Sequence, residues 1–118
     1  MKATRAVLID DAKVSYEHLN KIVGEQHAKG IQNSDEIKLL NSIQKKVDLI
    51  KQNVQYGQPI QKKKIPKTLD VQNLWWVELS QFWRMLYTIK GDQVEIVCVI
   101  LHIIDHKSYD KLFGYRGQ

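Results

Sequence analysis

Residues 94–104, VEIVCVILHII, are almost continuously apolar and rich in β-branched side chains. No other stretch limits the possible folds as strongly. The run falls far short of the ~20 apolar residues that a membrane span requires. It is the pattern of a strand buried on both faces. Two further β-rich segments precede it, 74–79 and 82–89. Gly91 and Asp92 separate the last two segments and tolerate the backbone of a tight turn, so a meander of three antiparallel strands is expected. A two-residue period puts Trp83, Met85 and Tyr87 on one face of the middle strand, and Phe82, Arg84 and Leu86 on the other. Trp75 and Trp76 likewise point to opposite faces.

The first half supplies helices. Residues 4–9 become apolar and read as a short strand, stopped by Asp10 and Asp11, either of which can cap a helix spanning roughly 12–29. Gly30 suits the left-handed position just past its end. Asn33 with Glu36 resembles a capping box for a second helix over roughly 34–55. Ile37, Leu40, Ile43, Val47, Ile50 and Val54 recur there every three or four residues. The short link makes an antiparallel helical hairpin, and a last short helix is expected near 109–113. The order is β-α-α-β-β-β-α in a single domain, 1–118. This is an α+β chain with the helical hairpin on one face of a four-stranded, mainly antiparallel sheet. The hairpin serves as the crossover that parallel pairing of the first strand needs.

A net charge of +5 suits an acidic partner such as nucleic acid, an acidic protein or a membrane surface. Cys98, the only cysteine, falls in the apolar strand and reads as a small buried hydrophobe. With no internal disulfide possible, a reducing compartment is expected. The N-terminal apolar run is too short for a signal peptide.

Several residues carry chemistry. Arg84, flanked by Trp83 and Met85, offers a fork of fixed donors for a phosphate, or an ion pair with Glu78 across the hairpin. Lys62, Lys63, Lys64 and Lys67 form either a solvated loop or a basic approach to a phosphate backbone. His106 can exchange a proton near neutral pH, or sit exposed in a cap formed by Asp105 or Ser108. Its spacing from His102 is not that of a helical pair, and no zinc site is expected. Tyr109 and Tyr115 can stack on RNA or pack the last helix.

Together, the strand WRMLYTI, the Gly91-Asp92 turn, the apolar strand and the finish IIDHKSYDKLF resemble the RelE/ParE toxin superfamily. The specific part covers 60–113. That superfamily contains ribosome-dependent messenger-RNA endonucleases and gyrase inhibitors, each made with a cognate antitoxin. The resemblance implies that Arg84 matches the sheet arginine on the scissile phosphate. It also implies that His106 and Lys107 match a catalytic ending where the second residue is more often arginine, and that Tyr109 or Phe113 matches a C-terminal tyrosine. Lys64 and Lys67 match basic residues before the second strand. The implied protein is a cytoplasmic toxin that cleaves mRNA on the ribosome by 2′-OH attack, with no metal or cofactor. Its antitoxin should be acidic where it meets 62–67. The other implied outcome is a gyrase inhibitor or a degenerate toxin that only binds.

Overall fold

A computed structural model describes residues 3–91 and 95–114. It is α+β. In chain order the elements are β1 (Ala3–Leu8), α1 (Asp10–Ala28), α2 (Asp35–Gln52), β2 (Gln58–Pro59), β3 (Trp75–Glu78), β4 (Arg84–Gly91), β5 (Glu95–Ile104) and α3 (His106–Phe113). Short 3-10 turns occur at Lys62–Lys64, Lys67–Leu69 and Ser80–Phe82. The sheet has five strands, in the order β1-β5-β4-β3-β2. β1 runs parallel to β5 and the other pairs are antiparallel. The expected four strands are corrected by β2, whose Gln58 and Pro59 pair with Trp76 and Trp75. A two-residue strand has no readable period, and its proline is tolerated because β2 forms the sheet edge. Asp92 and Val94, assigned above to the last turn and strand, lie outside the described residues, as does Tyr115.

The helix ends differ in detail from the expected caps. Ile9, in extended conformation, is the N-cap of α1, and Asp10 and Asp11 fall inside the first turn. There their carboxylates oppose the positive end of the helix dipole. Ser34, not Asn33, caps α2 by accepting from the Ile37 N–H at 3.1 Å. Glu36 is engaged from the other helix. The Gln26 amide donates to its Oε1 at 2.8 Å, while the Ser34 hydroxyl donates to the Gln26 Oε1 at 2.6 Å. Gly30, at φ +81°, closes α1 by donating to the His27 carbonyl while Ile31 donates to that of Gln26.

Both long helices cover one face. Leu19, Val23, Leu40 and Ile43 pack there against Val77, Met85, Tyr87, Cys98 and Ile100. The other face is not open, contrary to the expectation of helices on one side alone. α3 and the segment 60–71 build a second core around Leu74, Leu86 and Tyr109. Ile60, Ile65, Leu69 and Val71, interleaved with the lysines, supply its lid. The lysines thereby turn outward, and Lys62, Lys63, Lys64 and Lys67 are all exposed.

Two irregularities shape the end of the sheet where α3 begins. Leu86 pairs with His102 but Tyr87 pairs with Ile100, so Leu101 is an extra residue in β5. This bulge resets the alternation, and Ile100 and Ile103 both face the first core. The second irregularity corrects the expected strand 82–89. β4 starts only at Arg84, because Gln81 (φ +59°) and Phe82 (φ +63°) adopt left-handed backbone. Such conformations cost roughly 1–3 kcal/mol each and persist only where the surroundings enforce them. Here the Leu79 N–H donates to the Trp83 carbonyl at 2.7 Å and the Trp83 N–H to that of Ser80 at 3.2 Å.

Candidate nucleic-acid interface

Arg84 opens β4 on the face away from α1 and α2, with Glu78 opposite it on β3 and Ile104 on β5. Alternation along β3 puts Trp76 on that same face. The bulge and the start of α3 bring Tyr109 over from the other side. The guanidinium carbon lies 4.3 Å from the Trp76 ring centroid and 4.4 Å from that of Tyr109. Both distances are within cation–π range, so the cation is held over two aromatic rings. Tyr109 is buried and stacks in turn on Phe113, with ring centroids 4.4 Å apart. Among the described residues Arg84 makes no ion pair with a carboxylate, although Glu78 is its cross-strand neighbour.

A cleft of about 580 Å³ lies beside the guanidinium, lined by Glu78, Phe82, Arg84 and His106. The His106 ring is largely exposed, and its Nε2 lies 3.4 Å from an Asp110 carboxylate oxygen one turn along α3. Phe82 stands at the rim with 76% of its surface exposed.

α3 owes its start to Asp105, whose Oδ1 accepts from the Ser108 N–H at 2.8 Å. That backbone bond is the main reason its carboxyl sits below the usual carboxylate range; the Ser108 side chain assists. A lowered folded pKa means the cap stabilises the protein above the ordinary value near 3.8 and fails as pH falls through the lower folded one. Asp105→Ala should cost about 1 kcal/mol in denaturant unfolding at neutral pH. It should also loosen the seating of Arg84, because α3 carries Tyr109. Asp105→Asn, which keeps an acceptor, should be far milder.

The two histidines singled out by their spacing occupy separate hollows. His102 lies with Asp11, Ser15, Ile104 and Lys111, its Nδ1 3.8 Å from an Asp11 oxygen. Burial lowers its pKa, outweighing the opposite pull of Asp11. Its neutral form is therefore favoured by folding. The associated stability is complete above the ordinary value of 6.5 and is lost as pH falls through the depressed one. Melting temperature should decline between pH 7 and 5, and His102→Gln should flatten that decline. An unchanged slope in the variant would remove His102 as its source.

Of the residues expected to act together, the structure gathers Arg84, His106 and Tyr109. Lys107 is exposed on the first turn of α3 and is not part of the cleft lining. Nor are the four lysines of 62–67; Lys62 and Lys67 flank a different hollow, with Asp70. The sequence reading missed Trp76 and Phe82 as components, and named Glu78 only as a possible ion-pair partner of Arg84. Alternation with Trp75 marked one of the two tryptophans as a candidate, and the register of β3 on β4 shows that Trp76 is the one sharing a face with Arg84. Among the described residues no three His, Cys, Asp or Glu side chains are grouped to hold a metal ion, and no helix is long and apolar enough to cross a membrane. No family model, curated protein or solved structure matches this chain.

Proposed function

We propose that this protein is a RelE-like endoribonuclease, the toxin of a toxin–antitoxin pair, acting in the cytoplasm on ribosome-bound mRNA. One observation carries the reading. A guanidinium without a carboxylate partner among the described residues lies over both the Trp76 and the Tyr109 ring, beside a cleft that also holds His106. Cation–π contacts use the charge but none of the in-plane N–H donors, which a phosphate can then engage. The helical hairpin on one face of a mainly antiparallel sheet, with β1 parallel to β5, supports the RelE-like reading of the fold.

In this reading His106 takes the proton of a ribose 2′-OH. The 2′ oxygen attacks the adjacent phosphorus, and the charge growing on the phosphoryl oxygens is met by Arg84. The P–O5′ bond breaks, and the 5′ oxygen takes a proton from water in the open cleft. The products are a 2′,3′-cyclic phosphate and a 5′-OH end. Tyr109, buried beneath the guanidinium, positions Arg84 and handles no proton. The exposed lysines of 62–67 and Lys107 supply long-range attraction for RNA and a contact surface for an acidic antitoxin.

The test is incubation with translating ribosomes, with and without a chelator of divalent ions at a level that leaves the ribosomes intact, followed by end-group analysis. Cleavage that leaves cyclic phosphate in both conditions is expected. Intact RNA, or 5′-phosphate ends, would sink the proposal. A second reading, a toxin-fold protein that only binds, is favoured by Glu78. Its carboxylate shares the cleft with Arg84 and opposes a phosphate there. That reading gains if RNA stays intact while the product of the adjacent gene binds tightly.

A further inference from the structure

We infer that Phe82 is a stacking platform for an unpaired nucleobase next to the phosphate held by Arg84, a binding role that rests on the RNA reading above. Phe82 is 76% exposed, more than the other exposed large hydrophobic side chains Val14, Ile31 and Tyr56. A phenyl ring gains nothing from water, so packing does not explain its position. It lies in the wall of the cleft that contains Arg84 and His106.

Its backbone makes the second argument. Two successive residues, Gln81 and Phe82, hold left-handed φ angles, which bulky side chains rarely adopt. The turn is fastened below by Ser80, whose N–H donates to the Ser42 hydroxyl of α2 at 3.2 Å, and by the paired Leu79 and Trp83. An ordinary extended entry into β4 would have let alternation turn Phe82 onto the sheet face beside Arg84. The strained turn holds the ring out at the rim instead. Strain retained next to a cleft is a mark of ligand positioning.

The ligand chemistry follows from the neighbours. A nucleotide whose phosphate meets the Arg84 edge has its base within reach of a wall of the same cleft, and an aromatic face is what an unstacked base accepts. Duplex RNA hides its base faces and is excluded. Phe82 offers no hydrogen bond, so it reads base area and not base identity, and purines are favoured over pyrimidines.

The experiment measures binding of the whole protein to two labelled probes by fluorescence anisotropy: a single-stranded hexamer of adenylate RNA and a hexamer of the same backbone without bases. The wild type should prefer the base-bearing probe by about tenfold. Phe82→Ala and Phe82→Leu should lose that preference with affinity for the abasic probe unchanged, and Phe82→Trp should keep it. Phe82→Ala that retains the preference overturns the inference. Arg84→Ala should weaken both probes equally. If it weakens neither while Phe82→Ala still abolishes the preference, stacking stands and the phosphate role of Arg84 fails. If neither probe binds wild type, both fall. Circular dichroism melts of each variant identify any loss that comes from misfolding.

Discussion

Arg84→Lys is expected to lower RNA cleavage by about 100-fold or more, the usual cost of removing one charge-stabilising donor from a reacting centre. Charge is conserved in this substitution, so a purely electrostatic role would leave activity high. The guanidinium differs by being planar. Trp76 and Tyr109 lie 4.3 and 4.4 Å from its central carbon, and a planar cation packs on such rings in fewer orientations than an ammonium does. An ammonium on a flexible stem presents no fork. The melting temperature should fall by only a few degrees, since each exposed cation–π contact is worth about 0.5–1 kcal/mol. Trp76→Leu should produce a milder loss confined to kcat, because it removes one of the two rings and leaves the cation. If Arg84→Lys retains more than a tenth of wild-type cleavage, Arg84 is a structural wedge and the chemistry lies elsewhere.

Tyr87→Phe is expected to be the most damaging single-atom change for stability, at about 3 kcal/mol. Tyr87 is fully buried on β4, and its hydroxyl joins the sheet to the chain leaving α2. It donates to the Val54 carbonyl at 2.7 Å and accepts from the Gly57 N–H at 3.0 Å. Removing the oxygen leaves both groups without a partner in an enclosed site, and each unpaired group costs about 1–3 kcal/mol. Burial, the main cause, pushes the phenol up to about 12 despite the bond from Gly57. A raised folded pKa means this stability is complete below the ordinary value of 10.0 and is lost as pH rises towards 12. Denaturant unfolding should show a lower midpoint at unchanged slope. A cost under about 0.5 kcal/mol would mean that the two backbone groups find other partners. Gly57→Ala should be harmful for a related reason. A Cβ there would lie 2.8 Å from both the Trp76 carbonyl and the Tyr87 hydroxyl.

Alternation located much of this in advance. It put Met85 and Tyr87 on one face of the middle strand and Arg84 on the other, and the structure has the two long helices on the first of these faces. Periodicity found α1 and α2 within a few residues, since their apolar stripes are long. What escaped was short or irregular. β2 has too few residues to show a period, and the strained turn at Ser80–Phe82 has neither glycine nor proline to announce it. The bulge at Leu101 shifts the register inside a run whose residues are nearly all apolar, so hydropathy could not mark the shift. In 60–71 the charge pattern of the lysines masks the apolar residues between them, and Ile60, Ile65, Leu69 and Val71 do the packing. The same lid explains why the lysines and Arg84 do not line one cleft.

The pairing of β1 with β5 also governs how this chain can be made. Ala3 pairs with Glu95 and Leu8 with Ile100, so the first described strand waits for the last. A ribosome adds about 5–20 residues per second, which separates the two by on the order of ten seconds. In the later part of that interval α1 and α2 are already synthesised while much of the sheet they cover is still unmade. Their apolar stripes can meet each other but not β5, against which α1 packs. Contacts this distant in sequence also slow folding after release. The nascent helical hairpin therefore carries uncovered apolar stripes, and the β1–β5 pairing forms only once β5 has been synthesised.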